Sequence, residues 1–158
     1  RDELDYLQEP DIFHEIFGHC AMLTNPAFAH FTHLYGQLGQ KASKEERVFL
    51  ARLYWFTVEF GLIESPAGLR IYGGGILSSI GETAYALSGQ PLLQPFDLLE
   101  VLRTPYRIDI MQPKYYVIDD FSQLFQISQL NLLKQADLAI DAGLLPPLFE
   151  PKEPAHAE

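Results

Sequence analysis

The sequence has 158 residues, 47% of them hydrophobic and 13% aromatic, which suits one folded domain with one core and excludes wholesale disorder. Its formal net charge of -10 argues against a nucleic-acid or anionic-membrane partner, because both require clustered Lys and Arg. The single cysteine, Cys20, excludes an intrachain disulfide and fits a reducing compartment. Since the sequence has no apolar run of about 18 residues that would cross a membrane, we expect a cytoplasmic protein.

The first half of the sequence predicts three helices. Pro10 and Asp11 open the first helix, which continues through IFHEIFGHCAML to a break at Asn25. The second helix spans residues 26–40, where apolar side chains recur at helical spacing. The third lies in SKEERVFLARLYWFTVEFGLI, where Ser43 and Glu46 form a capping-box signature at its start, and Gly61 marks its end.

The second half predicts shorter elements and then a long helix. We expect a strand over residues 69–72, a glycine turn, a helix that ends near Gly89, and a short helix in PFDLLEVLR. The alternating stretch YRIDIMQPKYYVIDD predicts a small hairpin around Gln112 and Pro113. FSQLFQISQLNLLKQADLAIDAG predicts one long amphipathic helix, and residues 145–158 form a proline-rich tail that is expected to lie extended on the surface. The expected fold is mainly α, with one or two short β ribbons, in one domain over residues 1–158.

Two histidines and an acid stand close together in the first predicted helix. They are His14, Glu15 and His19, and the residues around them are apolar. A lone histidine in such a helix is usually a satisfied core residue, but several buried polar groups without partners cost about 1–3 kcal/mol each. Because one metal ion satisfies two imidazoles at once, the cluster indicates a metal site.

The spacing of the two histidines sets a condition on the helix. Residues five apart lie about 140° apart around an α-helix, whereas the four-residue spacing of zinc proteases places both ligands on one face. His14 and His19 therefore reach one ion only if the helix is locally widened or if His14 lies in an irregular first turn. Gly18, directly before His19, makes such a distortion easier.

A third ligand is expected from the apolar run LYWFTVEFGLI. Its one acid is Glu59, and a buried carboxylate requires a cation or a proton. Two histidines and one carboxylate with open positions are typical of non-haem Fe(II) oxygenases. Zinc hydrolases also use this ligand set, so a zinc hydrolase with Glu15 as general base remains an alternative that the five-residue spacing disfavours.

Three motifs, EPDIFHEIFGH, LYWFTVEFGL and YGGGILSSIGE, together resemble the tetrahydropterin-dependent aromatic amino acid hydroxylases in their bacterial, phenylalanine-hydroxylating form. The resemblance extends from Tyr6 to about Phe121, with the motifs in the order and spacing of that family. It implies the catalytic-domain fold of that family. It also implies that phenylalanine is converted to tyrosine with O2 and a tetrahydropterin at a non-haem Fe(II).

The resemblance also assigns roles to individual residues. His14, His19 and Glu59 match the iron ligands of the family. The pterin side of the site is implied by Glu15, Ala51 and Tyr54, and the walls of the amino-acid pocket by Pro10, Trp55 and Phe60. Ser78 matches a serine that hydrogen-bonds an iron-ligating histidine, and Glu82 matches a polar residue of the substrate region. Glu15 and Ser78 are thereby implied to support catalysis, and Ser78 to lie in the substrate region.

Other features of the sequence bear on specificity and on completeness. Trp55 and Ile108 match phenylalanine hydroxylases rather than tryptophan or tyrosine hydroxylases, and the tail lacks a tetramerising heptad helix, which predicts a monomer.

The sequence has no initiator Met, and the family's arginine for the substrate carboxylate and much of its pterin loop would precede Arg1. We expect the C-terminal part of a longer polypeptide, truncated at the N-terminus of the catalytic domain. An inactive or non-catalytic fragment of the fold is therefore the second alternative.

Overall fold

A computed structural model describes residues 10–151, and its backbone is mainly helical, as the sequence predicts. Within this range the chain contains two π-helical segments, His14–Cys20 and Trp55–Glu59, and a short 3-10 turn at Met22–Thr24. The α-helices of the same range are α1 (Pro26–Lys41), α2 (Lys44–Tyr54), α3 (Gly74–Leu77), α4 (Ile80–Ala86), α5 (Leu98–Arg103), α6 (Phe121–Ser128) and α7 (Leu132–Ala142). None of the helices formed by residues 10–151 is long and apolar enough to cross a membrane.

Local capping explains where α1 and α2 begin. The Asn25 side chain accepts hydrogen bonds from the backbone N–H groups of Ala27 and Phe28, and Pro26 occupies the first turn of α1. The predicted capping box of α2 is confirmed, because Ser43 Oγ accepts from the Glu46 N–H at 3.1 Å and the Ser43 N–H donates to Glu46 Oε2 at 2.6 Å. These contacts satisfy N–H groups that have no partner inside a helix.

One four-stranded sheet within residues 10–151 replaces the separate ribbons that we expected. Its strands are β1 (Leu62–Ile63), β2 (Arg70–Ile71), β3 (Leu92–Pro95) and β4 (Lys114–Ile118), in the order β2-β1-β4-β3. β1 pairs with β2 antiparallel, while β4 pairs in parallel with both β1 and β3. The sheet is therefore mixed, and its parallel pairs connect distant parts of the chain, while β1 and β2 are neighbours in the sequence.

Three predicted elements are wrong. The single helix expected between the glycine turn and Gly89 is divided into α3 and α4, because Ser79 caps α4 by accepting from the Glu82 N–H at 3.3 Å. The hairpin around Gln112 and Pro113 does not form, because residues 104–111 make no strand and β4 pairs in parallel with strands from elsewhere. The long C-terminal helix is divided into α6 and α7, because Asn131 caps a new helix by accepting from the Lys134 N–H at 3.1 Å. Residues 144–151 form neither helix nor strand, and the rest of the predicted tail lies outside the described residues.

The main core lies between α1, α2 and the C-terminal helices. α1 packs against α6, and α2 packs against both α5 and α7. Its fully buried side chains include those of Phe28, Phe31, Leu53 and Leu124. Because Trp55–Glu59 continues directly from α2, this core also fixes the position of the second π-helical segment.

Three successive glycines fill a narrow space between the two π-helical segments. A Cβ on Gly73 would lie 2.4 Å from the carbonyl oxygen of Glu59, and a Cβ on Gly18 would lie 2.9 Å from the carbonyl oxygen of Gly74. A Cβ on Gly75 would lie 2.8 Å from the ring of Phe60. The backbone of residues 73–75 thus separates the first π-helical segment from the end of the second without any side chain.

We expect Gly73→Ala to destabilise the fold by about 1–3 kcal/mol, because its new methyl group would meet backbone atoms that cannot rotate away. Gly36→Ala is the matched control, since Gly36 lies in α1 with nothing within 4 Å of the added Cβ. Alanine at that position should stabilise the helix by up to about 1 kcal/mol. Denaturant unfolding of both variants measures the difference, and equal stabilities would contradict the packing argument.

Candidate metal centre and adjoining cavity

The first π-helical segment places both histidines toward one point. A π-helix bonds residue i to residue i+5, so residues five apart lie nearly above one another. His14 Nε2 and His19 Nε2 are 2.8 Å apart, and the planes of the two rings are 81° apart. The predicted local widening is confirmed, and it removes the difficulty that the five-residue spacing would create in an α-helix.

The second π-helical segment was not predicted, and it carries Glu59 at its end. The Phe60 N–H donates to the carbonyl oxygen of Trp55 at 2.8 Å, which is the five-residue bond of a π-helix. The side chain of Glu59 is only 17% exposed, and it faces the two histidines. Both segments that present possible ligands are therefore widened helices.

The three side chains form a set that fits a single metal ion. Glu59 Oε1 lies 3.3 Å from His19 Nε2, and Glu59 Oε2 lies 3.6 Å from His14 Nε2. Ligand atoms on one face of an ion with bonds of about 2.1 Å lie about 3 Å from one another. Among the described residues, His14, His19 and Glu59 are the one group of this kind, with all ligand atoms within 4.8 Å. Two imidazoles and one carboxylate match the donor set of non-haem Fe(II).

Ser78 fixes the orientation of the His14 ring. Its Oγ lies 2.8 Å from His14 Nδ1 and donates to the carbonyl oxygen of Gly74 at 2.9 Å. When the hydroxyl donates to Gly74, it accepts from the His14 ring, whose proton is then on Nδ1. His14 Nε2 therefore keeps its lone pair, directed toward His19 and Glu59.

The two histidines beside Glu59 have pKa values shifted in opposite directions. Burial lowers the pKa of His14 below its ordinary value, although Glu59 acts in the other direction. The hydrogen bond with Glu59 raises the pKa of His19. Positive charge is thus favoured beside Glu59, and a divalent metal ion would supply it.

A cavity of about 420 Å³ adjoins this cluster. Eight of the predicted site residues line it, namely Pro10, His14, Ala51, Tyr54, Trp55, Glu59, Phe60 and Ser78. Its walls are largely aromatic: the ring of Trp55 stacks on Phe60 with centroids 4.3 Å apart, and on Tyr106 with centroids 4.4 Å apart. Ile108 also lines the cavity. The arrangement can hold a flat apolar ring beside a metal ion.

Three predicted site residues do not line the cavity: His19, which completes the group of possible metal ligands, Glu15 and Glu82. Glu15 is exposed on the outer side of the first π-helical segment, yet its charge and that of Glu59, together with the larger effect of burial, raise the pKa of Tyr54 to about 12. Glu82 is fully buried behind the wall, where it accepts from the Gln112 N–H at 3.0 Å and from the Tyr115 hydroxyl. Burial raises the pKa of Glu82.

Several residues of the cavity wall were not predicted from the sequence. They are Tyr35, Gly75, Ser79 and Tyr106. Tyr35 lies in α1, where it is one of the aromatic residues packed against the core. Tyr106 begins the stretch that was predicted as a hairpin, and its ring contacts Trp55 only through tertiary folding.

A family model described as biopterin-dependent aromatic amino acid hydroxylase matches residues 2–134 of this chain. The chain belongs to this family. The membership confirms the resemblance carried by the three sequence motifs, and a family defined by biopterin dependence uses a tetrahydropterin cofactor.

Bacterial members of the hydroxylase family are similar over almost the whole chain. A phenylalanine-4-hydroxylase of Vibrio cholerae is 64% identical in an alignment 158 residues long, which covers 99% of this chain and 55% of that protein. One from Pseudomonas aeruginosa is 65% identical over 154 residues, which are 98% of this chain and 59% of that protein. The chain thus spans little more than half the length of these relatives.

Solved structures of hydroxylases have the same fold. The apo structure of the cold-active phenylalanine hydroxylase of Colwellia psychrerythraea superimposes with a TM-score of 0.88 at 58% identity, covering 93% of this chain and 58% of that chain. The Chromobacterium violaceum phenylalanine hydroxylase with bound oxidised Fe(III) superimposes with a TM-score of 0.85 at 49% identity, covering 91% of this chain and 53% of that one. The predicted fold class is confirmed.

Proposed function

We propose that this chain provides the metal-binding half of a phenylalanine 4-monooxygenase, which converts L-phenylalanine to tyrosine with O2 and a tetrahydropterin. The observation that carries the proposal is the convergence of His14, His19 and Glu59 at the edge of an aromatic cavity, since His14 and Glu59 belong to both the cluster and the cavity wall. Members of the same family named phenylalanine-4-hydroxylase are 64% and 65% identical to the chain and support the choice of reaction.

The three ligand residues would hold Fe(II) on one face. With a reduced pterin, such an iron supplies the activation of O2, after which one oxygen atom enters the aromatic ring and the other enters the pterin. The chain would contribute orientation of the ligands and exclusion of water. Ser78 keeps the Nδ1 proton on His14, so that Nε2 remains free to bind the metal.

The aromatic wall would hold the substrate ring. Trp55 is fixed between Phe60 and Tyr106, so a ring that enters the cavity meets rigid apolar surfaces near the metal ligands. Pro10 lines the same cavity. Ala51 and Tyr54 line it from α2, and with the nearby charge of Glu15 they form the side that we assign to the pterin. Glu82 supports this region from behind the wall.

Preference for phenylalanine is expected from Trp55 and Ile108, which both line the cavity. The polypeptide encoded by the complete gene should show a higher kcat/KM for phenylalanine than for tyrosine or tryptophan when all three compete. The measurement is product formation with Fe(II) and tetrahydropterin, with omission of the pterin or of iron as controls. Pterin-independent turnover would contradict the proposed reaction, and a preference for tyrosine would contradict the assignment of Ile108.

The assembly and location of the protein remain predictions. We propose a monomer in the cytoplasm that binds small-molecule substrates and neither nucleic acid nor membranes, consistent with the net charge of -10. Light scattering after size-exclusion chromatography measures the mass, and a tetramer would contradict the monomer.

A further inference from the structure

A buried glutamine lies behind the aromatic wall of the cavity. Gln112 is 1% exposed and stands just before β4, at the end of the loop that carries Tyr106 and Ile108. It does not line the cavity itself, although it contacts a residue that does. A side chain in this place can affect a bound ring only through the wall.

The side-chain amide of Gln112 makes three hydrogen bonds, one through its oxygen and two through its nitrogen. Its Oε1 accepts from the indole Nε1–H of Trp55 at 3.1 Å. Its Nε2 donates to the carbonyl oxygens of Arg107 and Ile110, both at 2.8 Å. An indole N–H can only donate and a carbonyl can only accept, so one orientation of the amide satisfies all three partners. Among the common side chains of similar length, only that of glutamine offers an acceptor and two donors in this arrangement.

The backbone of Gln112 is anchored as well. Its N–H donates to Glu82 Oε1 at 3.0 Å, and the same oxygen accepts from the hydroxyl of Tyr115. Glu82 lies in α4 and is fully buried. Gln112 therefore has little freedom to move, and the position of its amide is set by the body of the protein.

These contacts join two walls of the cavity that come from distant parts of the sequence. The indole of Trp55 belongs to the second π-helical segment, whereas the carbonyls of Arg107 and Ile110 enclose Ile108 in the loop. The stacking of Trp55 on Tyr106 holds the faces of the rings together. Stacking alone still lets the rings rotate or slide in their own planes. A directional hydrogen bond, such as that from the indole to Gln112, restricts these motions.

We propose that Gln112 is a positioning residue that sets ring discrimination by holding Trp55 in register with the loop that carries Tyr106 and Ile108. The proposal rests on the proposed function, because it concerns the amino-acid pocket of that reaction. Gln112 touches neither the substrate nor the metal ligands in this account, and it acts through Trp55.

The test compares Gln112→Met with Gln94→Met in the polypeptide from the complete gene. Methionine keeps the length of the side chain but removes all three hydrogen bonds. Gln94 is the matched control, because it donates from β3 to Glu100 Oε2 at 3.1 Å and does not line the cavity. For Gln112→Met we expect KM for phenylalanine to rise about tenfold with a much smaller change in kcat, and the kcat/KM advantage of phenylalanine over tryptophan to fall.

Fluorescence supplies a readout that does not depend on turnover. Trp55 is the single tryptophan of these 158 residues, so the difference in emission between the wild type and Trp55→Phe reports on this indole. Gln112→Met should shift this emission and weaken phenylalanine binding measured by titration of the same signal, whereas Gln94→Met should leave both unchanged. In a Trp55→Phe background, which lacks the indole N–H, Gln112→Met should add little to the effect on KM.

The outcomes separate the two proposals. Wild-type protein that neither converts nor binds phenylalanine would overturn both. Active wild-type protein in which Gln112→Met leaves KM and emission unchanged, or in which its effect adds fully to that of Trp55→Phe, would overturn the role of Gln112 alone. If circular dichroism shows that Gln112→Met does not fold, Gln112→Asn replaces it. This variant keeps the amide one methylene short of its partners, and it should change KM and emission in the same directions.

Discussion

Replacing both His14 and His19 by Ala will abolish stoichiometric iron binding. The two Nε2 atoms lie 2.8 Å apart and within reach of the Glu59 carboxylate, so the double variant keeps one of three ligands. The remaining carboxylate is partly buried and loses both of its partners, which we expect to cost about 1–3 kcal/mol of stability as well. Metal analysis of the purified protein measures the iron content, and thermal unfolding measures the loss of stability.

A second histidine pair provides the control for this experiment. His30 and His33 lie three residues apart in α1, both are exposed, and neither belongs to the described metal-binding group. The double variant His30→Ala, His33→Ala should therefore keep wild-type iron content and turnover. Full iron occupancy in the His14→Ala, His19→Ala protein would show that the metal is held elsewhere.

Glu59→Gln will weaken iron binding and reduce hydroxylation by more than about 100-fold, since loss of an outer partner of a metal ligand alone costs about 10–100-fold. The amide keeps the shape of the side chain but removes the negative charge that raises the pKa of His19. Without this charge, a divalent ion loses its anionic ligand and the favourable field of the site. Circular dichroism, iron content and product formation together test this result, and the helical fold should be unchanged.

Glu64→Gln is the matched control, because Glu64 is an exposed acid just after β1 and is absent from the described metal-binding group. Its iron content and activity should equal those of the wild type. Wild-type iron content and activity in Glu59→Gln would instead show that Glu59 is not a ligand, and Glu15 would become the next acid to test.

Features that depend on a few neighbouring residues were predicted correctly from the sequence. The capping box of Ser43 and Glu46 is complete within four residues, and the structure contains it. The widening of the helix that carries His14 and His19 was one of two geometries that their five-residue spacing allowed, because an α-helix does not bring residues five apart to one face. The second widened helix contains only one ligand, Glu59, so its sequence has no spacing to analyse and gave no such signal.

Features that depend on distant contacts could not be found in the same way. β1 and β2 are two residues long each, and parallel pairing with β4 joins parts of the chain more than fifty residues apart. The alternation of residues 106–111 resembled a strand, but Gln112 bonds to two carbonyls of this stretch and holds it as a loop. The apolar residues around His14 and His19 suggested that this whole segment is buried. His14 does face inward, but Ile12 and Phe17 are 77% and 61% exposed.

Because two widened helices form this site, the site should be more sensitive to the number of residues in these two segments than to the identity of most of them. Deleting one residue between His14 and His19 would leave the histidines four apart, and ordinary α-helical bonding could then continue through the segment. Every residue beyond the deletion would rotate by about 100° around the helix axis, so Gly18 would leave its contact with Gly74. The same reasoning applies to Trp55–Glu59. Single-codon insertions and deletions in these two segments should therefore be tolerated less well than most substitutions at the same positions.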